Sequence, residues 1–185
     1  MKKYSIIYAD PPWSYGSKYG ADMKKISEQY PVMTVKEIKN LPVKNIINDT
    51  ALLFLWCTDS HLPEGLEVIK AWGFKYKTVA FNWIKKTNTG TTCVNVAPYT
   101  LKSWELCLLG VRGTPTKGLL KTRNVRGLVE AERTVHSKKP EEVRVRIEKM
   151  VGNSRNIDKI ELFARESSPG WDVWGNEVDS DIFLG

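Results

Sequence analysis

The chain has 185 residues, 42% hydrophobic and 26% charged, with a formal net charge of +7. That balance excludes a disordered or low-complexity polymer and suits one domain, residues 1–185, with a sizeable core. The longest apolar run, Ala51 to Cys57, is too short to cross a membrane, and the cation excess favours a polyanionic partner without requiring one.

Tyr4-Ser-Ile-Ile-Tyr-Ala9 predicts a buried strand that stops at Asp10-Pro11-Pro12, because two prolines forbid both a continued ladder and a helix. The opening Met1-Lys2-Lys3 and this short run lack the longer apolar stretch and small-residue cleavage site expected of a secretory signal. Three cysteines without metal spacing, Cys57, Cys93 and Cys107, predict reduced thiols in an intracellular protein and no metal site. Residues 14–29 read as a loop. Thr34 and Glu37 form a capping-box pattern for a short helix from Val35. Ala51 to Cys57 predicts a second buried strand, and Leu62 to Trp72 an amphipathic helix stopped by Gly73. Lys75 to Lys85 and Trp104 to Val111 read as strands. Thr114 to Lys139 is basic and weakly periodic, and reads as a second long loop. Pro140 opens a helix with Glu141 and Glu142 at its positive end and Gly152 beyond it. Lys159 to Phe163 predicts a further strand.

Apolar strands alternating with amphipathic helices imply an α/β fold, a mostly parallel sheet covered by helices on both faces. Ligands bind at the carboxyl ends of strands in such sheets, which is where Asp10 falls. The residues after that strand suit one chemistry. An aromatic exocyclic amine is a poor nucleophile because its lone pair is delocalised into the ring. Acceptors that grip the amine hydrogens shift the nitrogen toward sp3 geometry. The Asp10 carboxylate is one such acceptor, and the Pro11 carbonyl, held stiffly by Pro12, is another. Trp13 then offers a ring face for a base. Catalysis of this kind is positioning plus electrostatics.

Asp10-Pro-Pro-Trp13 at a strand end resembles motif IV of the MT-A70 adenine methyltransferases, and the resemblance runs along nearly the whole chain. Tyr30-Pro-Val-Met-Thr34 resembles the segment in which a tyrosine contacts the target adenine. Trp104-Glu105 with its strand resembles the one carrying a glutamate near the adenine pocket. His136-Ser-Lys-Lys139-Pro140 resembles the turn whose lysine lies by the substrate. Glu161-Leu-Phe-Ala-Arg165, followed by Gly170 to Glu177, resembles the cofactor signature. The resemblance implies a Rossmann-like methyltransferase fold with permuted motif order and S-adenosylmethionine as cofactor. It implies Asp10, Pro11, Pro12 and Trp13 as catalytic residues and Tyr30, Glu105 and Lys139 on the substrate. Asp10, Lys139, Glu161, Arg165, Asn176 and Glu177 would hold the cofactor. In this chain Glu166-Ser167-Ser168 stands where some relatives carry a His-Asn pair.

Lys18, Lys24 and Lys25 in the first loop, and Lys117, Lys121, Arg123, Arg126 and Arg133 in the second, are candidates for salt-dependent phosphate contacts flanking the pocket mouth. The expected partner is nucleic acid, DNA ahead of RNA. The target adenine must be single-stranded or flipped out of a duplex. Recognition would use a short motif or a partner subunit, in a homodimer or heterodimer. The alternatives are an RNA adenine N6-methyltransferase and a catalytically silent nucleic-acid-binding subunit; the complete tetrad argues against the latter.

Overall fold

In the computed structural model, residues 2–14, 32–97, 99–134, 138–152 and 157–184 are described. Seven strands form one sheet: β1 (Tyr4–Ala9), β2 (Ile47–Cys57), β3 (Lys75–Lys86), β4 (Trp104–Arg112), β5 (Leu128–Glu132), β6 (Lys159–Leu162) and β7 (Asp172–Trp174). Their order across the sheet is β5-β3-β4-β2-β1-β6-β7. All are parallel except β4, which runs antiparallel between β2 and β3.

β1 shows why the strands are continuously apolar. Ile7 and Ala9 face one core, with Leu53, Leu55 and the helix residues Val68 and Ile69. Ile6 and Tyr8 face the other, with Phe54, Trp56, Val143 and Ile147. A strand buried on both sides has no polar alternation to show. Among the described residues the α-helices are α1 (Val35–Asn40), α2 (Leu62–Ala71) and α3 (Glu141–Val151). α1 and α2 cover the first face and α3 the second. The capping box forms as expected: Glu37 N–H donates to Thr34 Oγ1 at 3.2 Å, and Thr34 N–H donates to the Glu37 carboxylate at 2.7 Å. Trp72 follows α2 and is fully buried, its indole N–H donating to the Ile38 carbonyl at 2.9 Å, which ties α2 to α1. Gly73 then turns the chain with φ +84°.

Two expectations need correction. The stretch 114–139 is not one loop, since it contains β5, paired with β3 at the sheet edge. The strand expected to run to Phe163 ends at Leu162, because Phe163 takes a positive φ of 64° and turns the chain.

β4 matters for the site through its direction. A reversed strand begins at the edge where its parallel neighbours end. Glu105, second in β4, therefore lies level with the carboxyl ends of β1, β2 and β3.

Candidate active site

Asp10 leaves β1 half-buried and meets Lys139, which precedes α3. Lys139 Nζ donates to Asp10 Oδ2 at 2.8 Å and lies 3.2 Å from Glu105 Oε2. Lys85, from the end of β3, closes the group with Nζ donating to Glu105 Oε1 at 2.7 Å. Two cations and two carboxylates thus alternate from β3 to β1. The Lys139 ammonium also lies 5.6 Å above the Trp56 ring. Burial alone would favour neutral lysine, but Asp10 and Glu105 outweigh it and raise the Lys139 pKa. Burial pushes Glu105 upward, yet Lys139 and Lys85 overcome it and hold the carboxyl below its usual range. Asp10 ends above its usual value, because burial and the negative Glu105 exceed what Lys139 and Arg165 take back.

The prolines do what their chemistry predicts, with one qualification. The Pro11 carbonyl already accepts the Trp13 N–H at 2.9 Å, leaving its second lone pair for a ligand. The Pro12 carbonyl accepts from Met33 N–H at 2.8 Å. Trp13 is not the open plate expected of it. It is 7% exposed, stacks on His61 at 5.5 Å and donates its indole N–H to the Trp56 carbonyl at 3.1 Å. Its role in the structure is to brace the tetrad against the first core.

Beside Asp10 opens a cavity of about 220 Å³, bounded by Lys139, Pro140 and Arg144 on one side and by Glu161, Phe163, Arg165 and Glu177 on the other. It lies at the carboxyl ends of β1, β6 and β7. The turn after β6 is built tightly: a Cβ on Gly175 would come within 2.1 Å of the Ala164 carbonyl oxygen, so only glycine fits. Arg165 Nε lies 3.7 Å from Glu177 Oε1. Arg144 is 8% exposed and donates to Glu161 Oε2 at 2.6 Å, to both Glu141 oxygens and to Ser168 Oγ. Burial raises the Glu161 pKa, with Arg144 opposing.

Five of the six expected cofactor residues therefore line one cavity: Asp10, Lys139, Glu161, Arg165 and Glu177. Asn176 is exposed and is not part of the lining. Sequence reasoning missed Lys85 and Arg144. Lys85 falls in phase with inward-facing Phe81 and Trp83, and Arg144 shares a helix face with Ile147 and Val151. A charge placed in an apolar stripe was the available signal.

The nucleic-acid residues divide. Tyr30, Lys18, Lys24 and Lys25 lie outside the described residues. The second basic stretch does not flank the pocket mouth. The backbone N–H groups of Lys121 and Thr122 donate to the Met150 carbonyl, at the far end of α3 from Pro140. Lys117, Lys121, Arg123 and Arg126 belong to the connection that leaves β4 at the opposite sheet edge, because β4 is antiparallel. Arg133, just past β5, does return to the site's side, where its guanidinium donates to Asn95 Oδ1 at 3.0 Å.

S-adenosylmethionine has an anionic carboxylate, cationic ammonium and sulfonium centres, a ribose diol and a flat base. The cavity offers both signs of charge, the Phe163 ring and a buried Arg144 Nε with no hydrogen-bond partner among the described residues. The residues fit such a molecule.

The family model described as MT-A70 matches residues 4–177. The Type II methyltransferase M.MunI of Mycoplasma sp is 39% identical over 96% of this chain and 78% of its own length. The N(6)-adenosine-methyltransferase catalytic subunit METTL3 of Homo sapiens is 29% identical over 97% of this chain, but this chain spans only 29% of that protein. An N(6)-adenosine-methyltransferase MT-A70-like protein of Arabidopsis thaliana is 29% identical over 95% of this chain and 24% of its own length.

Proposed function

The chain belongs to the MT-A70 family, and from that premise we propose that it methylates N6 of adenine in DNA. It is a methyltransferase with S-adenosylmethionine as methyl donor. The observation that carries the reading is the complete Asp10-Pro11-Pro12-Trp13 tetrad at the end of β1, with Asp10 on the wall of a cavity suited to that donor.

The cofactor supplies an electrophilic methyl group when bound. The chain's own residues do the rest. Arg165, Glu161 and Glu177 bind the cofactor's polar ends, and Phe163 forms an apolar wall for it. Lys139 holds Asp10 through Oδ2, and we assign Oδ1 to one hydrogen of the adenine amine. The second lone pair of the Pro11 carbonyl takes the other hydrogen. Fixed acceptors cost no reorganisation when charge develops on the nitrogen. Glu105 is buried behind Lys139 and outside the cavity lining, and would act on the adenine through that lysine.

DNA is placed ahead of RNA because the relative with the greater identity and coverage carries a Type II methyltransferase name, the nomenclature of DNA-modifying enzymes. The test is nucleoside mass spectrometry of unmethylated DNA and of RNA after incubation with the protein and methyl-labelled cofactor. Labelled N6-methyldeoxyadenosine is expected. Label appearing only in RNA adenosine would transfer the assignment to RNA, and label in neither would overturn it.

A further inference from the structure

Lys85 occupies a place where the fold calls for a hydrophobe. Along β3 the buried side alternates Phe81, Trp83, Lys85. Lys85 is 7% exposed, and its ammonium passes 5.1 Å from the Trp83 ring centroid to reach Glu105 Oε1. Burying an ammonium is costly unless it is paired. Lys85 is not among the residues that line the cavity, and its ion pair is with Glu105.

We propose that Lys85 is a positioning residue for methyl transfer: by holding one oxygen of Glu105 it keeps Lys139 shared between Glu105 and Asp10. The inference rests on the methyltransferase reading above. The geometry carries it. Glu105 gives Oε1 to Lys85 at 2.7 Å and Oε2 to Lys139 at the longer 3.2 Å, while Lys139 keeps its shorter contact, 2.8 Å, for Asp10. With the Lys85 charge removed, Glu105 has one cation left among the described residues and draws Lys139 toward itself. Asp10 then loses the hold that aims its free oxygen at the amine. The charged and titratable groups facing Glu105 are Lys85 from β3, Lys139 before α3, Asp10 at the end of β1 and Cys57 at the end of β2. Among the described residues only the two lysines favour its ionised form, so removing Lys85 makes Glu105 easier to protonate.

The test compares Lys85→Met and Lys85→Arg with the unaltered chain. Single-turnover methylation of DNA is measured across the acid range, cofactor affinity by calorimetry, and the Glu105 titration by carboxyl-carbon NMR. Lys85→Met is expected to slow methyl transfer by about tenfold or more. Cofactor affinity should stay within about threefold. The acid limb of the rate profile and the Glu105 titration should both move upward by about half a pH unit or more, and Lys85→Arg should restore both. If Lys85→Met does not fold, Lys85→Gln keeps a donor to Glu105 without the charge and must show the same displacement. An unchanged Glu105 titration, or an unchanged rate and profile in a folded variant, overturns the proposal. A chain that methylates neither DNA nor RNA would overturn the methyltransferase reading instead, and the NMR titration would still decide whether Lys85 controls Glu105.

Discussion

Lys139 reaches Asp10 across 129 positions of chain, and its ammonium lies within ion-pair distance of Asp10 and Glu105 together. The pairing makes the tetrad's carboxylate part of a charge-balanced group, so substitutions at its members should differ in kind.

Asp10→Ala removes the acceptor at the amine and should abolish methylation. Cofactor affinity should fall by a smaller factor, since Asp10 is one wall among several. A variant keeping more than about a tenth of the rate has lost less than about 1.4 kcal/mol of barrier stabilisation. Single-turnover kinetics showing that much activity would remove Asp10 from the amine-gripping role.

Glu105 gives a pH signature in stability. Its folded pKa lies below the usual carboxylate value of 4.5 because Lys139 and Lys85 outweigh burial. A lowered folded pKa means the stabilisation is fully present above the unfolded value and is lost as pH falls through the folded one. Glu105→Gln should therefore flatten the acid limb of urea-unfolding stability below about pH 4.5. At neutral pH it should cost about 3 to 5 kcal/mol by leaving the buried Lys85 without its carboxylate, while Lys139 keeps Asp10.

Arg144→Met tests the cofactor wall. Burial already pushes Glu161 upward, and Arg144 is the main group holding it down. Without the guanidinium, Glu161 should protonate at higher pH. Cofactor affinity should then fall at a given pH and recover as pH rises, with the recovery displaced upward relative to the unaltered chain. Calorimetry across a pH series decides it; parallel profiles would show that Glu161 does not bind as an anion.

Gly175→Ala should act through backbone alone. The new Cβ would meet the Ala164 carbonyl oxygen, which no side-chain rotation can relieve. A stability loss of about 1 to 3 kcal/mol is expected. Cofactor affinity should fall with it, because the Phe163 and Glu177 walls are joined at this contact. Thermal unfolding with and without cofactor would show both effects.

The carboxyl-end position of Asp10 was readable in sequence because two prolines end a strand for a local, steric reason. So was the α1 cap, because Thr34 and Glu37 bond to each other's backbone and side chain within four residues. Strand direction is not local. Nothing in Trp104 to Arg112 says that it runs opposite to its neighbours, and that polarity sends the Lys117–Arg126 stretch to the far edge. β5 escaped notice because it is only five residues long and its alternation rests on Val129 and the small Ala131 alone. Trp13 misled because an indole suits both a base platform and a core, and only the His61 ring packed against it decides. Lys85 and Arg144 went unmarked because their partners, Glu105 and Glu161, lie 20 and 17 positions away.

α3 also acts as a spacer. Its amino end borders the cavity, and its carboxyl end holds the backbone of Lys121. Eleven helical residues at about 1.5 Å each separate the two by about 16 Å. At roughly 3.4 Å per phosphate along one strand, that is about five nucleotides. A strand presenting its adenine to Asp10 can meet Lys121, Arg123 and Arg126 only if it continues about that far past the target. Neutralising those three residues should therefore leave binding of a trinucleotide untouched and flatten the salt dependence only for longer substrates. The length at which the slope first changes would measure the enzyme's footprint on one side of the methylated base.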